Sequence, residues 1–240
     1  MRKQHGISII EMMVALVISS FLILGITQVY LDNRENTLFQ QSQGNNIENT
    51  RFSILILEQT LARAGYRRQP DVYMSDAFPK RSSPCGEMKA GEVVKRLNAN
   101  AFCVRYQPAF PSTRSCDGNI PDSLNASRKP YENREPFVEF FELSGNELQC
   151  NGQTIATGIE AIDFIYGVNS NDEKEIDEYR ADPDNQNIRA VQFSIMAASA
   201  TEVGKVAGSN VYEHWFEKQP TDKRLYTMLS SSTSMRNLMQ

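Results

Sequence analysis

The chain has 240 residues, of which 40% are hydrophobic and 22% charged, a balance that supports a folded core and excludes wholesale disorder. Lys and Arg number 25 against 29 Asp and Glu, giving a formal charge of -4 that argues against a binder of phosphate backbones. The two histidines are too few for a His-rich metal cluster.

Residues 1–6 are short, basic and polar, and Ile7-Ser8-Ile9-Ile10 then opens an apolar run that Glu11 interrupts. Met12 to Leu31 carries no charge, and Asp32, Arg34 and Glu35 end the run. At about 1.5 Å per helical residue this stretch spans roughly 30 Å, the thickness of a bilayer's hydrocarbon core. Arg2 and Lys3 on the short side predict a cytoplasmic N-terminus. A secretory signal peptide fits poorly, because the run exceeds the usual apolar region of about 7–15 residues. A plain signal anchor fits the hydropathy but leaves Glu11 unexplained. A carboxylate at the centre of a span costs roughly 2.5–3.5 kcal/mol and calls for a partner.

Basic leader, Gly6, Glu11 at fixed spacing and an uncharged span together resemble the class III signal of type IV prepilins. The resemblance implies cleavage by a membrane peptidase between Gly6 and Ile7. It also implies N-methylation of the new terminus, where the family most often has Phe and this chain has Ile7. Glu11 becomes the fifth mature residue. Physics agrees with that role: cleavage creates a positive amine at Ile7, which a neighbouring subunit's Glu11 neutralises in a low dielectric, setting the axial stagger. Proline is absent from the span, and Gly25 is its only helix breaker.

Beyond the span, apolar residues recur at helical spacing through Leu38, Phe52, Leu55, Ile56 and Leu61, with a polar stretch between Gln40 and Asn46. Gly44 and Asn45-Asn46 are expected to bend or fray the helix. It restarts at Ile47 and runs to Arg63, with Gly65 as its cap and Pro70 following. The stretch from Arg51-Phe52-Ser53-Ile54-Leu55 to Arg63-Ala64-Gly65-Tyr66 resembles the PilW-type minor pilins. Residues 67–99 read as loop. Strands are expected over Ala101–Tyr106, Phe137–Leu143, Glu147–Cys150, Ile159–Tyr166 and Ala190–Ala197. Turn chemistry separates them at Asp117-Gly118-Asn119, Ser144-Gly145-Asn146 and Asn151-Gly152, the last a strong hairpin signal. Residues 169–187 read as polar loop, and Tyr226–Asn237 resembles the last strand of pilin-like subunits.

The expected fold is therefore α+β and pilin-like, a long N-terminal helix packed on an antiparallel sheet. The chain divides into a leader (1–6), a transmembrane half of the helix (7–31), an amphipathic half (32–66) and a periplasmic β domain (67–240). Cys85, Cys103, Cys116 and Cys150 all follow the span, on its oxidising side. Three disulfide connectivities are open. Cys85–Cys103 with Cys116–Cys150 is preferred, since each closes one loop between neighbouring elements, for roughly 3–4 kcal/mol apiece on the loop-entropy scale. No C-x-x-C pair points to zinc. Asn169, Asn171, Glu173 and Asp177 place oxygens at alternating positions, a weak calcium pattern without an EF-hand glycine and with Lys174 inside; a solvated acidic loop is the preferred reading.

No nucleophile elbow, P-loop, zinc-helix or dinucleotide motif occurs. His214, beside Trp215 and Phe216, reads as packing or interface rather than as a base. No enzyme, cofactor or direct nucleic-acid contact is expected. The resemblance implies a structural subunit of a tip complex priming type IV pilus assembly, with roles in twitching motility and cell adhesion. The implied partners are other minor pilins, the major pilin, prepilin peptidase, the inner-membrane assembly platform and a tip adhesin. A minor pseudopilin of type II secretion, or a component of a tip adhesin, is the alternative. The implied location is the bacterial inner membrane, single-pass with the domain in the periplasm, and then the pilus.

Overall fold

A computed structural model describes residues 8–110, 113–119, 135–171, 173–184 and 186–239. Helix α1 (Ile9–Arg63) is one continuous element of 55 residues, with no proline anywhere in it. The bend expected at Gly44 is absent. A lone helical glycine costs only about 1 kcal/mol, and the asparagines beyond it are fastened to the domain. Buried Asn46 donates from Nδ2 to the Leu225 carbonyl at 2.8 Å, and Asn49 donates to Thr157 at 3.1 Å. The helix stops where Gly65 takes φ +71°, a left-handed value that favours glycine, and its N–H reaches the Arg105 carbonyl at 2.9 Å.

The β domain holds two antiparallel sheets rather than one. The first runs β1 (Val94–Asn98), β2 (Ala101–Tyr106), β3 (Phe137–Ser144), β4 (Glu147–Cys150) and β5 (Gln153–Thr157), each paired with the next. The β4–β5 turn places Asn151 at φ 49° and Gly152 at φ 79°, as a two-residue hairpin turn requires. The second sheet has the order β7 (Glu178–Arg180), β6 (Ile159–Val168), β8 (Ala190–Ala198) and β9 (Tyr226–Ser234). The described residues also include two short helices, α2 (Met74–Ala77) and α3 (Asn210–Phe216), and a 3-10 turn at Arg236–Leu238. The stretch read as loop before residue 100 thus contains α2 and β1, and the polar stretch 169–187 contains β7.

Leu57 and Leu61 of α1 and the capping residue Ala64 are fully buried in a core shared with both sheets. Phe102 joins the sheets, stacking on Phe141 of β3 at 5.4 Å and meeting the edge of Phe164 in β6 at 4.9 Å. The far side of the second sheet is partly covered by α3, where Tyr212 packs on Tyr226 at 4.8 Å. The four cysteines pair as Cys85–Cys103 and Cys116–Cys150. The first fastens the segment before β1 to β2, and the second ties the segment after β2 to the end of β4. Buried Arg105 adds a third fastening. Its guanidinium donates to the carbonyls of Pro79 at 2.7 Å and Lys89 at 2.8 Å, and also to that of Glu92. Burial lowers its pKa to about 10, still far above neutrality, so it stays a cation.

Candidate assembly surface

The first half of α1 touches nothing in the molecule. Every residue from Ile9 to Leu31 is exposed, including Ile9 at 79%, Phe21 at 71% and Ile26 at 69%. An apolar surface this large on a water-soluble monomer marks contact with a membrane or another protein. Polar groups in the run are handled locally. Ser19, Ser20 and Thr27 donate to the carbonyls four residues back at 2.7–2.8 Å, so these three hydroxyls do not need water.

Glu11 sits in the first turn of α1, and no Lys, Arg or His lies between Ile9 and Leu31. Its carboxylate has no hydrogen bond or ion pair among the described residues. Gly6 and Ile7, the scissile pair expected from the sequence, lie outside the described residues.

The second half of α1 presents two faces. One carries Thr50, Ser53, Leu57, Thr60 and Leu61 into the domain. The other leaves Arg51, Phe52 and Leu55 exposed in a shallow apolar strip continuous with Gly44 and Ile47. Toward the end of the helix Glu58 accepts a hydrogen bond from Ser231 of β9, and Asn237 donates to the Ala64 carbonyl at 3.0 Å. The helix and the strand are therefore locked along their whole shared length.

The remaining sequence candidates do not converge. Asn169 Oδ1 accepts the N–H groups of Asn171 and Glu173, both at 2.9 Å, and Asp177 accepts from the Ser170 hydroxyl at 2.6 Å. Those oxygens organise a loop, and the Ser170 contacts hold the Asp177 carboxyl below its usual range. His214 is exposed and has no hydrogen bond or ion pair among the described residues. Trp215 lies half-buried beside Val211 and Tyr212 on the second sheet.

One buried group escaped the sequence reading. Glu139 accepts the Tyr106 hydroxyl at 2.6 Å and the Cys116 N–H at 2.8 Å. Burial is the first cause of its raised pKa, and these two hydrogen bonds oppose the rise. The signal was present: strict alternation along β3 puts Glu139 on the face of Phe137 and Phe141. Glu139 lies close to the sulfurs of Cys116 and Cys150. The disulfide occupies both sulfurs, so this group is a structural clamp.

Two family models match the chain. The prokaryotic N-terminal methylation motif matches residues 1–27, and the type IV pilus-assembly protein W domain matches residues 129–237. The chain belongs to the PilW-type minor pilins. A type IV-like pilin from Thermus thermophilus aligns with it at a TM-score of 0.47 and 12% identity, covering 80% of this chain and 97% of that one. No curated protein matches. In this PilW-type pilin the exposed half of α1 is the membrane anchor and the part that enters the pilus. The sheets beyond it form the α+β body of a structural protein.

Proposed function

We propose that this pilin belongs to a tip complex that primes type IV pilus assembly. Before assembly a single span holds it in the inner membrane, with the N-terminus in the cytoplasm and the β domain in the periplasm. Prepilin peptidase removes residues 1–6, and Ile7 becomes the methylated terminus. Residues 7–31 then serve as the span, 32–66 as the amphipathic helix and 67–240 as the exported body. Its neighbours are other minor pilins and the major pilin, reached through the assembly platform, with a tip adhesin beyond them. The work is packing and register.

The observation that supports this reading best is α1 itself. Its first half is apolar, exposed on every side and interrupted only by Glu11. A carboxylate there needs a cation, and processing supplies one at the Ile7 amine. In a low-dielectric bundle such a pair is far stronger than in water, and breaking it strands a charge.

The test is Glu11→Leu in cells lacking the native copy. Removing a polar group from the span leaves membrane insertion as good or better. Cleavage should survive, because the scissile bond is untouched. Surface piliation should fall. Undiminished piliation overturns the reading and assigns assembly to the periplasmic body alone.

A further inference from the structure

The two sheets have four edges, and three of them are protected against further pairing. Strand β1 carries Lys95 and Arg96 and a register shift between Arg96 and Asn98. Strand β5 pairs across a register shift at Leu148–Gln149 and is flanked by α1, to which its Thr157 carbonyl is bonded. Strand β7 has three residues, two of which, Glu178 and Arg180, form an ion pair at 2.7 Å. Charges, bulges, brevity and cover are the usual means by which proteins blunt an edge.

Strand β9 has no charge, bulge or brevity, and the helices that touch it leave Ser230, Ser232 and Ser234 exposed. Its nine residues, Tyr226–Ser234, include no charge and no proline, and they pair with β8 without a register shift. Its ladder phase follows from two bonds at its ends. The Met235 N–H reaches the Arg189 carbonyl at 2.8 Å, and the Ser199 N–H reaches the Leu225 carbonyl at 2.9 Å. Antiparallel pairs alternate, so Thr227, Leu229, Ser231 and Thr233 bond to β8. The N–H and C=O groups of Ser230, Ser232 and Ser234 consequently point away from the sheet. No hydrogen bond among the described residues satisfies them, and all three residues are exposed. Helix α3 covers only the start of the strand, at Tyr226.

We propose that the outer edge of β9 receives an extended strand from a neighbouring subunit that is not a copy of this chain. The backbone groups supply the affinity, as in strand addition generally. The incoming strand lies beside the hydroxyls of Ser230, Ser232 and Ser234, which fit small, hydroxyl or amide side chains with no charge to desolvate.

Antiparallel self-pairing conflicts with the anchor. Asn46 bonds at Leu225, Glu58 at Ser231, and Ala64 at Asn237, so α1 and β9 run in the same direction. An antiparallel pair of β9 strands, related by a two-fold axis, turns the second α1 end for end. The two spans would then leave in opposite directions, which one membrane cannot accommodate. A different subunit, presenting its own edge, has no such conflict. This step rests on the membrane reading above. The edge also adjoins α1, so a strand seated on it continues the surface through which the helix assembles.

The experiment places a photocrosslinking residue at Ser232 in the full chain, in cells. A second probe at Gln192, opposite Ser232 on β8 and exposed on the same face, is the control. The expected result is an adduct with a different chain from Ser232 and none from Gln192. Probed from Ser230, Ser232→Lys should abolish that adduct and Gln192→Lys should leave it, with both disulfides intact in each variant. An adduct of this chain with itself, equal capture from both positions, or no capture from Ser232 overturns the proposal. A probe at Phe21 in the span separates that failure from failure of the assembly reading, because only the latter abolishes capture there.

Discussion

Ile9–Leu31 and Asn46–Arg63 share one helical backbone and meet opposite surroundings. In the first stretch every side chain faces outward and the sole charge has no partner among the described residues. In the second, one face is sealed by two sheets and even the polar residues are committed, Asn46 to Leu225 and Glu58 to Ser231. The difference shows where each half obtains its stability. The second half is held by packing within its own chain. The first obtains its stability from lipid and then from other subunits, so substitutions there should be silent in the isolated domain and decisive in assembly.

That contrast can be broken most directly in the core. Leu57→Ala removes a fully buried side chain, and the lost burial plus the cavity should cost about 2–5 kcal/mol of domain stability in urea unfolding. Leu16→Ala, on the exposed half, should leave the same midpoint unchanged. Equal effects would erase the distinction between the halves.

Asn46→Ala should act less strongly, by about 0.5–1.5 kcal/mol, because it removes one of two donors to the Leu225 carbonyl, which keeps the Ser199 N–H. The midpoint of urea unfolding reads this too, and a loss near zero would mean that water replaces the asparagine.

Two carboxylates sharpen the comparison further. Glu11 is exposed with no partner among the described residues, whereas Glu139 is enclosed behind the second half of α1. Burial raises the Glu139 pKa above its ordinary value of 4.5. A raised acid contributes stability that is fully present below the unfolded value and lost as pH rises through the folded one. The native domain should therefore lose stability on going from pH 4.5 upward through that window relative to Glu139→Gln, whose amide oxygen keeps an acceptor for Tyr106 and Cys116. Parallel slopes in pH-resolved denaturation would count against a buried, titrating Glu139.

The smallest effect is expected at Gly44, between the two halves. A side chain there meets nothing within 4 Å. Gly44→Ala should stabilise the helix by up to about 1 kcal/mol, read as raised helix content or midpoint. A loss of piliation with an intact domain would reveal a bend that assembly requires.

The parts legible in the sequence are those with a strong period or a rigid chemical rule. Ala101–Tyr106 and Glu147–Cys150 are found where their apolar and β-branched content puts them. The strands missed, β1, β5 and β7, are all edges. Val-Lys-Arg-Leu-Asn, Gln-Thr-Ile-Ala-Thr and Glu-Tyr-Arg lack apolar alternation because half-covered edges need charge and polarity more than burial. Helix α3 is too short, at seven residues, to show a period. Asn46 read as a fraying residue because an asparagine's polarity is visible in sequence while its distant acceptor, Leu225, is not. Glu11 was legible because its rule is local: one carboxylate, an uncharged run and a glycine at fixed spacing.

The uninterrupted passage of α1 through Gly44 makes the helix an indexing shaft. Its 55 residues measure about 80 Å end to end. With no joint between them, the position of Glu11 fixes both the height and the azimuth of the β9 edge. Adding one residue within Leu38–Gln43 would lift the domain by about 1.5 Å and swing it by about 100°. Seven residues would restore the bearing to within about 20° while raising it by about 10 Å. Length changes in this linker are therefore graded by phase, and a subunit altered by a whole number of turns keeps its facing toward its neighbours while one altered by half a turn loses it.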